Sequence, residues 1–352
     1  DSDSIGAYFN HIYNSPSTQC KVIGITGTNG KTTVTQLVYQ ALNKLGKPAA
    51  VLGTLNSELT TPDTATIYQH LQASVAAQNP YFVMEVSSHG IDQNRIAGIQ
   101  FEITALTNIT HDHIDYHGSF EAYKATKETF ITMGKTTICP ADYATTSPPQ
   151  NTHFWGKFNQ ENLKLAKTIL LKCDCNEAEV DTTLSALKPP PGRFEHITEI
   201  KSPQVFIDFA HCPDALTRIL IESREIADKK KGLLRIVFGC GGNRDRQKRP
   251  LMTQIAKEWA DQIIITTDNP RTEPVEQIVS DMLKNLDITN TPTLIIEPDR
   301  RLAVGRALKE AGPNDVILLA GKGPETYQYI GDQKIPYNDK KTALKWATEY
   351  QL

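Results

Sequence analysis

The segment that most constrains the fold is KVIGITGTNGKTTVT, which runs from Lys21 to Thr35. Its first part, Val22 to Ile25, is a short apolar run typical of a buried strand. A loop with two glycines follows, and Lys31 then begins a segment whose apolar residues recur at helical spacing. Glycines in such a loop let backbone N–H groups turn towards phosphate oxygens, and the helix N-terminus adds a positive dipole. The segment therefore predicts a phosphate-binding P-loop at the start of an α/β domain.

Several residues of this loop have specific roles in the prediction. Lys31 would neutralise charge at the β- and γ-phosphates, and the Thr32 hydroxyl is placed to bind Mg²⁺. Ile25 stands where the usual pattern has a glycine, and the alternative is a strand–turn–helix with a chance Gly-Lys-Thr. The preceding strand, the following helix and the two glycines favour a nucleotide site. The predicted nucleotide-binding residues of the loop are Gly27, Thr28, Asn29, Gly30, Lys31, Thr32 and Thr33.

Length, composition and charge exclude several classes of protein. The 352 residues exceed one ordinary hydrophobic core, which favours two domains. A formal net charge of -3 gives no electrostatic reason to expect nucleic acid or an anionic membrane as a partner. No apolar run approaches the length of a membrane span, and the six scattered cysteines are best interpreted as free thiols. We therefore expect a monomeric cytoplasmic protein that acts on small molecules.

Strand and helix patterns alternate on both sides of a proline-rich segment. This segment, LKPPPGR at residues 187–193, predicts a stiff linker, so we place the boundary between a first domain, 1–188, and a second, 189–352, within it. Alternation of this kind predicts parallel sheets with functional residues at the carboxyl ends of strands. The predicted strands are residues 22–25, 49–52, 81–86, 101–106, 205–209, 234–238, 262–266, 294–297 and 316–320. The predicted helices are 5–13, 65–77, 214–227, 250–259, 275–285 and one that begins at residue 31.

Two predicted strands of the first domain end in side chains that can bind metals. Glu85 ends one strand, and the segment TNITHDHIDYH, from Thr107 to His117, follows the next. Three histidines and two aspartates in this segment favour a functional site over a solvated loop, although any one histidine would more often be structural. Zinc is the first alternative, but no cysteine accompanies the cluster. Hard oxygen ligands beside a P-loop suit Mg²⁺ better.

Three predicted loops of the second domain are candidates for a small-substrate pocket. FGCGGNRDR at 238–246 and TTDNPR at 266–271 both follow strands. Arg244 and Arg271 could present guanidinium groups to one carboxylate. Phosphate binding and ordinary surface charge are the alternatives. The third loop, AGKGPE at 320–325, lacks the helix start of a P-loop, and we interpret it as part of the same pocket.

Together these segments resemble the Mur ligases, and most closely the MurE type, which adds the third residue of the peptidoglycan stem peptide. The matching motifs are TGTNGKTT, MEVSSH, DHIDYHG, GKFNQEN, GRFE, DFAHCPDA, FGCGGNRD, KRPLM, DNPR and AGKGPE. The resemblance implies a P-loop ATPase-type central domain with a parallel sheet, followed by a second Rossmann-like α/β domain. It implies an ATP-dependent ligase that joins an acceptor carboxylate, on a muramoyl-dipeptide or similar γ-glutamyl acid, to an amino acid through an acyl phosphate.

The resemblance also implies a metal and phosphate site in the first domain. Lys31 and Thr32 would bind the ATP phosphates and a first Mg²⁺. Glu85 and His113 would bind a second Mg²⁺. Lys127 falls where the family has a carbamylated lysine, whose carboxylate-like oxygen would be a further metal ligand.

Other matches concern the nucleotide and the two substrates. Asn162 matches an adenine contact, whereas Arg193 and Asp208 match groups that reach the γ-phosphate and the ribose, with Arg193 also catalytic. The matches to contacts with the acceptor's muramoyl-peptide arm are Thr60, Thr61, Ser87, Gln93 and Arg95. The matches to the pocket of the incoming amino acid are Arg244, Asp268, Asn269, Arg271, Gly321 and Glu325.

The DNPR motif resembles that of enzymes that use meso-diaminopimelate. Arg271 and Arg244, which we expect to be buried, would then pair with the distal carboxylate that lysine lacks. The sequence departs from the family in lacking its N-terminal domain, in a short segment between Met133 and Gly156, and in Pro324, which replaces a histidine. From these departures we expect a compact enzyme that recognises the peptide-like end of its acceptor rather than uridine diphosphate.

Three other functions compete with this interpretation. A related amide ligase could act on a non-peptidoglycan acid such as a folate-like polyglutamate, but its pocket would lack the arginine and asparagine set described above. A non-catalytic ATP-binding module would be expected to have lost its metal-binding residues, and all are present. A P-loop ATPase that moves a partner would not need an amino-acid pocket.

Overall fold

The computed structural model describes residues 2–151, 153–284, 286 and 293–352. The chain divides into two compact units, Asp1–Lys188 and Pro189–Leu352. Each unit has its own β-sheet covered by helices. Among the described residues, no helix is long and apolar enough to cross a membrane.

The first unit contains a parallel sheet with β1 at its centre. Its strands are β1 (Lys21–Thr26), β2 (Ala49–Leu52), β3 (Tyr81–Glu85), β4 (Phe101–Leu106) and β5 (Gly134–Ile138). They pair in the order β2-β3-β1-β4-β5, and every neighbouring pair is parallel. The helices are α1 (Ser2–Ile12), α2 (Lys31–Lys44), α3 (Thr64–Ala76), α4 (Ser88–Asp92), α5 (Ile114–His117), α6 (Phe120–Ile131), α7 (Pro140–Tyr143), α8 (Lys157–Lys172) and α9 (Glu177–Ser185).

Helices cover both faces of this sheet, because successive side chains of a strand point to opposite sides. Ile23 and Ile25 of β1 belong to a core cluster with α2 and α8. Val22 belongs to a second cluster with α3 and with Phe130 of α6. A strand that is buried on both faces needs a continuous apolar run, which is why β1 was recognisable in the sequence.

The second unit is built on a mixed sheet. Its strands are β6 (Glu195–His196), β7 (Gln204–Asp208), β8 (Leu234–Phe238), β9 (Gln262–Ile265), β10 (Thr293–Ile296) and β11 (Val316–Ala320), in the order β10-β9-β8-β11-β7-β6. All pairs are parallel except β6 with β7. A separate antiparallel hairpin consists of β12 (Tyr327–Ile330) and β13 (Gln333–Pro336). The helices are α10 (Pro213–Lys230), α11 (Lys248–Trp259), α12 (Val275–Leu283), α13 (Arg300–Glu310) and α14 (Asp339–Tyr350).

The predicted α/β class is confirmed in both units, and each predicted strand is present with ends within one residue of those expected. Among the strands, the predictions missed β5, the two-residue strand β6 and the β12–β13 hairpin. β5 lies at a sheet edge and alternates between exposed and partly buried residues, so it has no apolar run. The helix expected at 275–285 is α12, which ends at Leu283; residue 285 lies outside the described residues.

Candidate active site

The predicted P-loop connects β1, the central strand of the first sheet, to α2. Gly27 and Gly30 have φ angles of +143° and +87°, which residues with a side chain rarely adopt. A Cβ on Gly27 would meet the Thr107 hydroxyl, and one on Gly30 would meet the Asn162 amide oxygen. Lys31 Nζ donates to the Gly27 carbonyl at 2.8 Å. Both glycines are therefore required, and Asn162 lies against the loop.

Residues that follow β4 hold the P-loop in this conformation. The backbone N–H of Thr28 donates to the Asn108 carbonyl at 2.8 Å, and that of Asn29 donates to Asn108 Oδ1 at 3.1 Å. Thr107 Oγ1 donates to the Asn29 carbonyl at 2.6 Å. Thr107 and Asn108 had no predicted role, although they begin the segment from Thr107 to His117 in which metal ligands were expected.

Glu85, at the carboxyl end of β3, has a buried carboxylate that accepts hydrogen bonds at both oxygens. Oε2 accepts from Thr32 Oγ1 at 2.9 Å and from Thr54 Oγ1 at 3.2 Å, while Oε1 accepts from the Thr54 N–H at 2.8 Å. Thr54 Oγ1 is also 3.1 Å from Thr60 Oγ1. A Cβ at Gly53 would meet the carboxylate, so a side chain there would have to displace Glu85 from its present position. Thr54 was missed, although its position just after β2 at the same sheet edge is a usable signal.

Lys127, on α6, is buried beneath the P-loop. Its Nζ donates to the Gly27 carbonyl at 2.8 Å and to Thr26 Oγ1 at 3.4 Å, and lies 4.9 Å from the centre of the Tyr123 ring. Burial, reinforced by the positive charge of Lys31, lowers the pKa of Lys127 well below its ordinary value. Burial therefore favours the uncharged amine more at this position than it would at the protein surface.

Of the three histidines after β4, His113 and His117 lie together and His111 lies apart. The ring centre of His117 is 5.8 Å from that of His89 and 5.4 Å from that of Tyr123. His113, with a φ of +54°, lies with its ring centre 6.1 Å from that of Tyr123 and 4.8 Å from that of His89. Burial lowers the pKa of His113, which favours the neutral imidazole that can bind a metal. His111 instead stacks on Phe120 at 4.5 Å between ring centres.

The prospective metal ligands fall into two pairs. Thr32 and Glu85 share a hydrogen bond, whereas His113 and Lys127 both contact the Tyr123 ring. In the part of the chain that the structure describes, no three His, Cys, Asp or Glu side chains converge as a metal-binding group. A threonine hydroxyl and a buried carboxylate, completed by nucleotide phosphates, form a hard donor set that fits Mg²⁺.

Four of the five predicted acceptor-binding residues form one hydrogen-bonded chain. Thr61 Oγ1 donates to the Glu85 carbonyl at 3.0 Å and accepts from the Ser87 N–H at 2.9 Å. Arg95 Nη1 donates to the Thr61 carbonyl at 2.6 Å, and Arg95 Nε donates to Gln93 Oε1 at 3.0 Å. Thr60, the fifth, has its hydroxyl 3.1 Å from that of Thr54, which in turn donates to the Glu85 carboxylate. The structure therefore brings all five residues next to the Glu85 strand end.

In the second unit, the loops that contain Arg244 and Arg271 follow the neighbouring strands β8 and β9. A Cβ on Gly241 would lie 3.2 Å from Arg271 Nη1 and 3.6 Å from Arg244 Cγ, so both arginines lie close to this residue. Our expectation that both guanidinium groups are buried is wrong: Arg244 is exposed and Arg271 is half-buried. The buried arginine of this region is Arg249, which α11 points inward to two carboxylates.

The remaining predicted pocket residues meet at the ends of β9 and β11. Asn269 Nδ2 donates to Glu325 Oε2 at 2.9 Å, and Gly321 lies against the carboxylate of Asp268. Lys322, which the sequence analysis did not select, is fully buried and donates to the same Glu325 oxygen at 2.6 Å. Lys322 could have been selected from the sequence, because it directly follows Gly321 at the end of a predicted strand.

Arg193 and Asp208 lie at the carboxyl end of β7. Asp208 accepts from the Phe194 N–H and from the Ala210 N–H, each at 2.7 Å. Burial raises the pKa of Asp208 to about 6, and the nearby charge of Arg193 opposes this rise. The Arg193 guanidinium lies 4.7 Å from the centre of the Phe209 ring.

Comparison with known proteins identifies the family of the chain. Two family models match, the Mur ligase middle domain at residues 25–151 and the glutamate ligase domain of Mur ligases at residues 192–323. A UDP-N-acetylmuramoyl-L-alanyl-D-glutamate–2,6-diaminopimelate ligase from Haemophilus influenzae strain PittGG is 37% identical over 392 residues, which cover 95% of this chain and 79% of that protein. The chain belongs to the Mur ligase family. A protein of the same name from Prochlorococcus marinus subsp. pastoris is 35% identical to this Mur ligase, over 98% of this chain and 80% of that protein.

Solved structures include further relatives of this Mur ligase. A structure of a UDP-N-acetylmuramoyl-L-alanyl-D-glutamate–2,6-diaminopimelate ligase is 27% identical, with a TM-score of 0.62, and the match covers 100% of this chain and 82% of that one. A Mycobacterium tuberculosis folylpolyglutamate synthase complexed with ADP and AMPPCP has a TM-score of 0.70 at 16% identity, covering 90% of this chain and 91% of that one. At that identity the second match shows the shared fold alone.

Proposed function

We propose that this chain is an ATP-dependent ligase that joins a carboxylate of a muramoyl-dipeptide acceptor to an amino group of meso-diaminopimelate in the cytoplasm. The observation that carries the proposal is the hydrogen-bonded connection from Thr32 through Glu85 to Thr61 and Arg95. It links a nucleotide-binding loop to a cationic site suited to an acidic acceptor, on one edge of one sheet. The names of the Haemophilus and Prochlorococcus relatives support the choice of substrates.

The chemistry follows from the charges that the site must balance. An acceptor carboxylate oxygen attacks the γ-phosphorus of ATP, ADP leaves, and the amine then displaces phosphate from the acyl phosphate to form the amide. Lys31 and the N-terminus of α2 offset the negative charge of the phosphates, and Arg95 pairs with the acidic acceptor. Mg²⁺ held by Thr32 and Glu85 would supply further charge neutralisation on the transferring phosphoryl group.

An ADP-release screen of candidate acceptors crossed with candidate amines tests this function directly. The acceptors are a UDP-linked muramoyl dipeptide, the same dipeptide without UDP, and a folate glutamate; the amines are meso-diaminopimelate, lysine and glutamate. We expect the fastest ADP release when a muramoyl dipeptide and meso-diaminopimelate are both present, slower release with lysine as the amine, and none from a Lys31→Met control. Release that requires the folate acceptor would replace this proposal with the polyglutamate ligase.

The choice of amine gives a quantitative prediction. Arg244 is exposed and Arg271 is only half-buried. The binding free energy from pairing the distal carboxylate with these arginines should therefore be smaller than that from a fully buried ion pair. We expect kcat/KM for lysine to be lower than for meso-diaminopimelate by about ten- to a hundredfold, or about 1.4 to 2.7 kcal/mol.

Steady-state kinetics with both amines check this prediction. Arg271→Ala should remove most of the preference, whereas Arg244→Ala should remove less of it because its guanidinium is more exposed. Equal kcat/KM for the two amines in the unaltered protein would contradict the assignment of a distal carboxylate to this pocket.

A further inference from the structure

Lys322 is a buried cation that the proposed reaction does not yet use. It follows Gly321 at the end of β11, and its side chain has no solvent exposure. Nζ donates to Glu325 Oε2 at 2.6 Å and to Asn269 Oδ1 at 3.1 Å. Because an unpaired buried ammonium is strongly destabilising, Glu325 acts as its counter-ion inside the protein.

The contacts of Asn269 determine which way its amide group faces. Oδ1 accepts from Lys322 Nζ and from the Tyr329 N–H at 3.0 Å, while Nδ2 donates to Glu325 Oε2 at 2.9 Å. A flipped amide would place its NH₂ group against two other donors, with no acceptor between them. Asn269 Nδ2 therefore has a second N–H besides the one that it donates to Glu325, and an N–H group suits an anionic or carbonyl oxygen of a ligand.

The contacts of Glu325 leave one of its oxygens for a ligand. Oε2 accepts from both Lys322 and Asn269, and the side chain is 22% exposed. Within the residues that the structure describes, no hydrogen bond to Oε1 is present. Oε1 is therefore placed to accept from a ligand ammonium group.

We propose that Lys322 is a positioning residue for the amino-acid substrate. Through its two contacts it sets the rotamer of Glu325 and the orientation of Asn269, so that together they receive a zwitterionic amino-acid end. The ligand ammonium would bind Glu325 Oε1, and its carboxylate would bind the second N–H of Asn269 Nδ2. Lys322 itself does not touch the ligand. The inference rests on the proposed function, because it assumes an amino acid in this pocket.

Lys322→Met tests the inference, because methionine is of similar length but has no donor. We expect KM for the amino acid to rise about tenfold or more, with kcat changed by less than about threefold and KM for ATP by less than about twofold. Lys322→Gln, which keeps an N–H donor, should recover part of the loss. Arg235→Met is the matched control, since Arg235 is a buried cation paired with Asp315 near the opposite end of the same sheet. It should lower the melting temperature without changing KM for the amino acid.

A double-mutant cycle with Glu325→Gln separates positioning from a general structural role. If Lys322 acts through Glu325 and Asn269, the effects of Lys322→Met and Glu325→Gln on KM should be clearly less than multiplicative, because they share the loss at Glu325. Should Lys322→Met fail to fold, Lys322→Gln replaces it in the cycle. Independent, multiplying effects, or an unchanged KM in a folded and active variant, overturn the inference and leave the ligase proposal intact. An unaltered protein that ligates no amino acid overturns both.

Discussion

Replacing Lys127 with alanine is expected to lower kcat/KM at least about a thousandfold, or about 4 kcal/mol, while the protein remains folded. The Lys127 amine is buried beneath the P-loop, where it donates to the Gly27 carbonyl, and burial favours its uncharged form. An uncharged amine can add CO₂ at Nζ and release a proton, which gives a carbamate. We infer that the oxygens of this carbamate and the imidazole nitrogen of His113 would complete the metal site, so that loss of the carbamate removes charge neutralisation at the phosphates.

Intact-mass measurement under native conditions should show the carbamate on the unaltered protein, and acetate should restore part of the activity of Lys127→Ala. Lys167→Ala is the matched control, because Lys167 is also a buried lysine but pairs with Glu177 and Asp181 on α9. It should keep full activity. A fully active protein with a bare Lys127 amine would show that the modification is not needed.

The second large effect concerns stability. Arg300→Met should lower the free energy of unfolding by about 3–5 kcal/mol, because it leaves the fully buried carboxylate of Asp339 without its cation. Arg300 donates from Nε and Nη2 to the two oxygens of Asp339 at 2.9 and 2.8 Å, and from Nη2 to the Ala320 carbonyl at 2.9 Å. Urea unfolding at pH 7 measures the loss. In Arg300→Met/Asp339→Asn the loss should be smaller, because no unpaired charge remains.

The same pair predicts a pH dependence of definite sign. Burial alone would raise the pKa of Asp339, but the charge and hydrogen bonds of Arg300 lower it overall below its ordinary value. The contribution of the pair is therefore complete above the unfolded pKa of about 3.9 and is lost as the pH falls through the folded pKa. The difference in unfolding free energy between the unaltered protein and Arg300→Met should shrink when the pH falls from 7 to about 3. A difference that stays constant or grows would contradict this account of Asp339.

Much of the fold could be predicted from the sequence alone, because its central strands are buried on both faces. Strands β2, β4, β8 and β11 were predicted with the ends that the structure shows, since apolar residues predominate in each of them. The edge strands β5 and β6 and the β12–β13 hairpin were missed, because these partly exposed strands are very short or mix polar and apolar residues. The P-loop was also determined locally, since its glycines, its lysine and the following helix are consecutive in the chain.

Only the tertiary structure decided which distant residues join these local motifs. Thr54 and Asn108 contact the P-loop site because β2, β3, β1 and β4 lie in that order, and strand order is not encoded in any one segment. Lys322 became part of the pocket because β11 lies next to β8, which is next to β9, the strand that Asn269 follows. The sequence also could not distinguish Arg244 from Arg249. They lie five residues apart in one basic segment, and the start of α11 decides that Arg249 points inward while Arg244 stays exposed.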